Sequence, residues 1–390
     1  MTSAPPTPAS LRQVLLALCA SVALSACGGG DDESADAGAE ALDSRASPAA
    51  VVTTNSGPAA GYSVNSCAVN STNGPVYSST VTRTVGTGTP ASCTSDAVVA
   101  AVAQGGLVKF NCGPDPVVIT MTKTAKIFNN KPDVVLDGGS KVTLSGGGKL
   151  RVLYQNTCDP NQVYTSTRCD IQETPRTTVQ NISIVDGNSA GQGYGRSDVY
   201  GGGAIFVRGG RLKVYNSRFF RNQCESTGPD LGGAAIRLVG TSPTIPNYIT
   251  KTTFGGASGY GNSCSNGGAI SGLHASIVLT NSLVTHNRAI GYGANPARSG
   301  TPGGGNGGGI YADGNKFHVG LCGTRMANNS GNEGGGAIAY VSNNRTGTMR
   351  ITNSLLEANT SGRFETAGYP GVFVRAAPGN PVLTNSTLRR

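Results

Sequence analysis

Residues 266–287 read NGGAISGLHASIVLTNSLVTHN. The segment opens on a glycine pair and a short apolar strand at Ala269-Ile270. It passes through a second strand from Ile277 to Val284 and closes on a polar Asn287. The same text recurs along the chain. Gly202-Gly203-Ala204-Ile205, Gly308-Gly309-Ile310 and Gly335-Gly336-Ala337-Ile338 repeat the opening, while 216–222 (NSRFFRN) and 353–359 (NSLLEAN) repeat the close. Self-similarity at this period is the signature of a stacked array, in which each unit buries its apolar face only against its neighbours.

The repeat can be measured on the residue that begins each closing strand. Asn181, Asn216, Lys251, Asn281, Cys322, Asn353 and Asn385 follow at intervals of 35, 35, 30, 41, 31 and 32 residues. The arm from the glycine-pair isoleucine to the next of these positions is nearly constant, at 11, 15, 11, 12 and 15 residues. The return arm varies, at 24, 20, 19, 29 and 16 residues. One arm is therefore scaffold, and the other carries insertions.

The strands are short, bounded by Gly and Asn, and too close together to admit helices between them. Coils stacked about 4.8 Å apart bury such strands. Gly takes positive φ without a Cβ clash, and Asn tolerates the left-handed turn. Asn at equivalent inward positions can stack, each amide satisfying its neighbour. The expected fold is all-β, a parallel β-helix; a β-sandwich is the plainer alternative. Asn181, Asn216, Asn281, Asn353 and Asn385 are the expected internal ladder, with Lys251 and Cys322 as departures.

The GGAI openings and FxxN-like closings resemble the repeats of polymorphic outer membrane proteins. That family belongs to the wider group with a right-handed, pectin-lyase-type β-helix. The run Val134-Val135-Leu136-Asp137-Gly138-Gly139 is similar to early coils of that group. The resemblance covers roughly residues 105–390 and implies the fold rather than an activity.

The amino-terminal residues read as a targeting segment. Arg12 precedes an apolar run from Val14 to Leu24, of signal-peptide rather than transmembrane length. Leu24-Ser25-Ala26-Cys27 resembles a bacterial lipobox, which implies lipidation of Cys27; the alternative is an ordinary secretory cut nearby. The expected organisation is a signal over 1–26, a disordered tether over 27–60, an amino-terminal cap over 61–104 with a short helix near 97–103, and the β-helix over 105–390. Gly28 stands where such lipoproteins carry an Asp resembling an inner-membrane retention signal, so the resemblance implies outer-membrane placement, with the body periplasmic or surface-exposed. Residues 1–45 hold two basic and six acidic residues, leaving 28 basic against 15 acidic, or +13, for the rest. Such a body suits acidic polysaccharide or anionic headgroups, although its Lys and Arg are scattered. A secreted lipoprotein is not expected to bind nucleic acid.

Ten cysteines fit an oxidising compartment. Cys158 with Cys169 is expected to close a loop, Cys224 with Cys264 to staple two adjacent arms, and Cys93 with Cys112 to tie the cap. Cys67 is left unpaired, or exchanged with one of the last two. Cys322, at an inward ladder position, is expected to be a buried free thiol.

Catalytic patterns are sparse. Glycoside hydrolysis needs paired carboxylates at fixed separation, yet Asp186, Asp198, Asp230, Asp313, Glu333, Glu357 and Glu365 are scattered and form no Gly-x-Asp-Asp element. His274, His286 and His318 fall on three different coils. No metal-ligand spacing and no cofactor motif is present. The variable arms are the expected recognition surface. Tyr194, Tyr260 and Tyr292 each precede a Gly there, and Arg196, Arg288 and Arg298 lie near them, suited to sugar faces and to carboxylate or phosphate. The expectation is a surface-anchored adhesion or glycan-binding module whose partner is a polysaccharide or a cell-surface protein. The alternatives are a lyase or hydrolase of acidic polysaccharide, or a purely structural surface protein. The chain ends at Arg390, where a turn Asn would follow. An uncapped coil at that end suggests a truncated form or docking on a partner.

Overall fold

The computed structural model describes residues 57–78, 80–192, 200–241 and 245–390. The signal-like segment, Cys27, most of the tether, Tyr194 and Arg196 lie outside the described residues.

The chain winds into a right-handed parallel β-helix with three sheets. The first sheet has seventeen strands, and most coils give it two short ones, such as Arg211–Tyr215 and Arg218–Phe220. The second has eight strands, one per coil, among them Leu153–Asn156, Ile205–Arg208, Ile236–Val239, Ile270–Leu273 and Ile310–Gly314. The third is built from two-residue strands such as Ser263–Cys264 and Arg288–Ala289.

The glycine-pair isoleucines form one register column. Ile205, Ile236, Ile270, Ile310 and Ile338 pair in succession and are almost fully buried. Opposite them runs a second column, Phe219, Phe254, Val284, Met326 and Leu356. Burying each such side chain contributes about 1.5–3 kcal/mol, so stacking alone supplies the cohesion that no single coil has. The glycine three residues before each isoleucine has no room for a side chain. At Gly335, with φ +62°, a Cβ would sit 2.1 Å from the Ile338 carbonyl oxygen.

Each coil has two further left-handed corners, and they separate the two kinds of Asn. Asn181, Asn216, Asn281, Asn353 and Asn385 all have φ near +50°, as does Lys251. They mark the corner between the paired strands of the first sheet and do not form the internal column. Asn181, Asn216 and Asn353 are half-buried, Asn385 is exposed, and Asn281 is buried. The internal ladder is built instead by the Asn that closes each unit. Asn222 donates to Asn262, Asn262 to Asn287, Asn287 to Asn329 and Asn329 to Asn359, side chain to side chain at 2.8–2.9 Å. The expectation failed because left-handed geometry does not mark the ladder: the second corner is taken by the residue before the closing Asn, namely Arg221, His286, Asn328 and Ala358, while the closing Asn itself turns inward. Spacing alone would put a ladder residue at Ala257; the insertion 256–261 moves it to Asn262.

Cys322 is a second correction. It pairs in register with Thr280 and Thr352, and the corner residue of its coil is Gly323, with φ +60°. A one-residue slip reverses the face a strand side chain takes. Cys322 therefore points away from the core, whereas Leu321 fills it. It is not a free thiol but is bonded to Cys67. The pairs Cys93–Cys112, Cys158–Cys169 and Cys224–Cys264 are also formed.

The stretch expected as a cap divides in two. The end of the helix is covered by Arg83–Val85 and by the α-helix Ser95–Gln104, whose Thr94 side chain caps the Ala97 amide and whose Val98, Ala101 and Val102 are buried. Residues 57–78 run as a strap along the outside of the first sheet. The Asn281 side chain clasps the Cys67 backbone at 2.7 and 2.8 Å, and Gln180 clasps Val76 in the same reciprocal way.

Candidate functional site: a groove on the second sheet

The outward face of the second sheet is not solvated. Tyr154, Phe206, Arg237, Ser271 and Tyr311 are register neighbours on that face, and all are buried. Insertions cover them. The segment closed by Cys158–Cys169 lies at one end, where Tyr154 and Phe206 stack at 5.4 Å and the Arg151 guanidinium lies 5.0 Å from the Phe206 ring centre. The loop 291–305 lies at the other end, held by two hydrogen bonds from Arg298 to the buried Glu333. Its Asn295 side chain donates to the Asp230 and Asp313 carboxylates and touches the Tyr311 hydroxyl, which in turn donates to Asp313. Burial, reinforced by the Asp313 charge, pushes the Tyr311 phenol well above its ordinary range. It is a fixed donor, not a titrating group.

Between these insertions lies a groove of about 960 Å³, within the range of sites for small ligands. Arg237, Val239 and Leu273 form its floor, and Ile171, Tyr200 and Leu231 its apolar walls. Asp170, Asp230, His274 and Lys316 stand at the rim. Asp170 is held by the Arg208 guanidinium at 2.7 Å. An apolar floor with polar groups converging at the edge suits a sugar, which presents C–H faces and a rim of hydroxyls.

The sequence-based candidates are dispersed. Tyr260 sits at the corner between the first and third sheets, packed on Phe220 at 5.2 Å with Arg221 near its face. Tyr292 is exposed on the 291–305 loop, beyond the third sheet. Arg288 is exposed at the start of its two-residue strand, and Arg298 is committed to Glu333. None of these four lines the groove. His318 is half-buried against Thr348, and His286 occupies a corner with φ +62°. Of the three histidines only His274 reaches the site. Sequence reading passed over Arg237 and Tyr200, and weighed Asp230 only as one of the scattered carboxylates. The usable signal was Arg237 itself, a charged residue in a strand position where the neighbouring coils carry Phe206, Ser271 and Tyr311, flanked by the longer insertions.

Among the described residues, one grouping has metal-ligand proximity, Cys158, Cys169 and Asp170, and its two sulfurs are bonded to each other. No family model matches the chain, and no curated protein and no solved structure is similar enough to count as a match. Fold and site thus define the class: a disulfide-braced parallel β-helix with a covered flank and a groove in that cover.

Proposed function

We propose that this chain binds a glycan in the groove over the second sheet, as the recognition module of a bacterial surface lipoprotein. The observation that carries the reading is the groove. Segments 170–171, 227–231, 240–241 and 315–316, far apart in the chain, converge over the second sheet to enclose a ligand-sized space. The lipobox-like run ending at Cys27 supports acylation there and an outer-membrane anchor, and the segment up to residue 60 supports a tether. The likeness of the GGAI and FxxN-like units to polymorphic outer membrane repeats supports display at a cell surface, where the partner is a polysaccharide and the role is adhesion.

The test is retention on immobilised polysaccharides, neutral and acidic, by the wild type and by Leu273→Trp, which fills the groove floor. The reading expects retention by the wild type and its loss in Leu273→Trp with the fold intact by circular dichroism. Equal retention by both proteins would overturn it. New reducing or unsaturated ends in the same incubation would assign catalysis to the groove instead. Mass analysis of the amino-terminal peptide from membranes tests the anchor: Cys27 should carry acyl chains, and Cys27→Ala should release the protein.

A further inference from the structure

We infer that the groove floor holds a subsite for an anionic oxygen group on the glycan, with the Arg237 guanidinium as its receptor; this rests on the glycan reading above. Arg237 is 2% exposed at the centre of the covered face. It offers five N–H donors. Nη1 donates to the Ser271 hydroxyl and Nη2 to the Asp230 carbonyl, while Nε has no partner. Among the described residues no carboxylate lies within ion-pair distance of it.

Three arginines of the described residues show the commoner arrangement. Arg208 is paired with Asp170, Arg221 with Asp186, and Arg325 with Glu357, although all three arginines are more exposed than Arg237. A buried cation without a counter-ion is costly and persists where something compensates it. The acids near enough to influence Arg237 offset part of its charge without pairing with it, and each is held by neutral donors. Asp230 and Asp313 accept from Asn295, Asp313 also from Tyr311 and Asn343, and Glu225 accepts from the Gly201 amide. With Asp170 matched to Arg208, the lining is left with Asp230 against Arg237 and Lys316, an excess of one positive charge. A guanidinium with unused donors suits a planar carboxylate or a sulfate ester, which takes two of them at once. The ligand class is therefore a sugar chain carrying uronate or sulfate.

The experiment is calorimetric titration of the full chain with trigalacturonate, a sulfated galactose trisaccharide and neutral galactotriose, for the wild type, Arg237→Met and Arg237→Lys, with thermal melting alongside. The wild type should bind one charged probe at least about tenfold more tightly than galactotriose, the scale of a charge-assisted hydrogen bond. Which charged probe wins identifies the group. Arg237→Met should lose that preference, keep its weak affinity for galactotriose and melt no lower than wild type, since the residue it removes is an unpaired buried charge. Should Arg237→Met fail to fold, Arg237→Lys serves: it keeps a charge without the fork and should lose most of the preference. A preference that survives in either variant assigns it to Lys316 and the rim, and overturns the inference. Equal binding of charged and neutral probes by the wild type overturns it while the groove reading stands. No binding of any probe removes both.

Discussion

Cys67 and Cys322 are bonded across 255 residues of chain, tying a strap that precedes the first coil to a coil near the far end of the solenoid. The strap residues around this bond are also clasped by the side chains of Asn281 and Gln180. Together they bind distant coils to one another, although each coil otherwise contacts only its neighbours.

Opening this bond should therefore destabilise more than one coil. A cross-link closing so long a loop contributes about 5–6 kcal/mol in the chain-entropy account. The double variant Cys67→Ser/Cys322→Ser should unfold at clearly lower denaturant, and unreduced peptide mapping of the wild type should recover the 67–322 pair. An unchanged midpoint would show that the strap adds nothing.

The two sets of asparagines should respond differently to substitution. Asn287→Ala removes the acceptor of the Asn262 amide groups and the donor to Asn329 and the Phe254 carbonyl, all buried. The expected cost is about 2–4 kcal/mol. Asn353→Gly keeps the left-handed corner and leaves little unpaired, so its effect should stay within about 0.5 kcal/mol. Equilibrium denaturation of both variants checks this; equal losses would contradict the assignment of the ladder.

Acid should loosen the 291–305 loop, which packs behind the groove wall at Gly228. The hydrogen bonds from Arg298 to the Glu333 carboxylate hold its pKa below the ordinary 4.5, with the Gly293 amide adding to the effect. A group whose folded pKa is depressed contributes stability that is present above the unfolded value and lost as pH falls through the folded one. The loss should begin below about pH 4.5 and grow as the pH falls further. Thermal melts at pH 7 and at pH 3.5 should show a larger drop for wild type than for Glu333→Gln. Equal drops would place the acid sensitivity elsewhere.

Much of the fold was legible, and the reasons lie in backbone geometry. The Gly-Gly-Ile corner can be read because no other residue fits beneath the isoleucine carbonyl, and its recurrence sets the coil length. The ladder was misassigned because Asn was read as marking a left-handed turn, whereas the inward Asn follows the second left-handed corner, which Arg221, His286, Asn328 and Ala358 occupy. Cys322 was misread by a single position: Gly323 takes the corner there, and the shift moves the sulfur from core to surface. The groove was hidden for another reason. Its residues come from the outward face of the second sheet, a face normally left to solvent, and they gather only because insertions far apart in the chain fold over it. Tyr260 and Tyr292 advertised a binding surface in their local sequence, yet the corners they occupy lie on opposite sides of the third sheet.

The most direct test of the account is backbone amide hydrogen exchange of the full chain with and without trigalacturonate. The groove reading predicts slowed exchange at 227–231, 240–241 and 273–274, with the corners bearing Tyr260 and Tyr292 unchanged. Protection centred on those corners, or no change anywhere at saturating ligand, would contradict it.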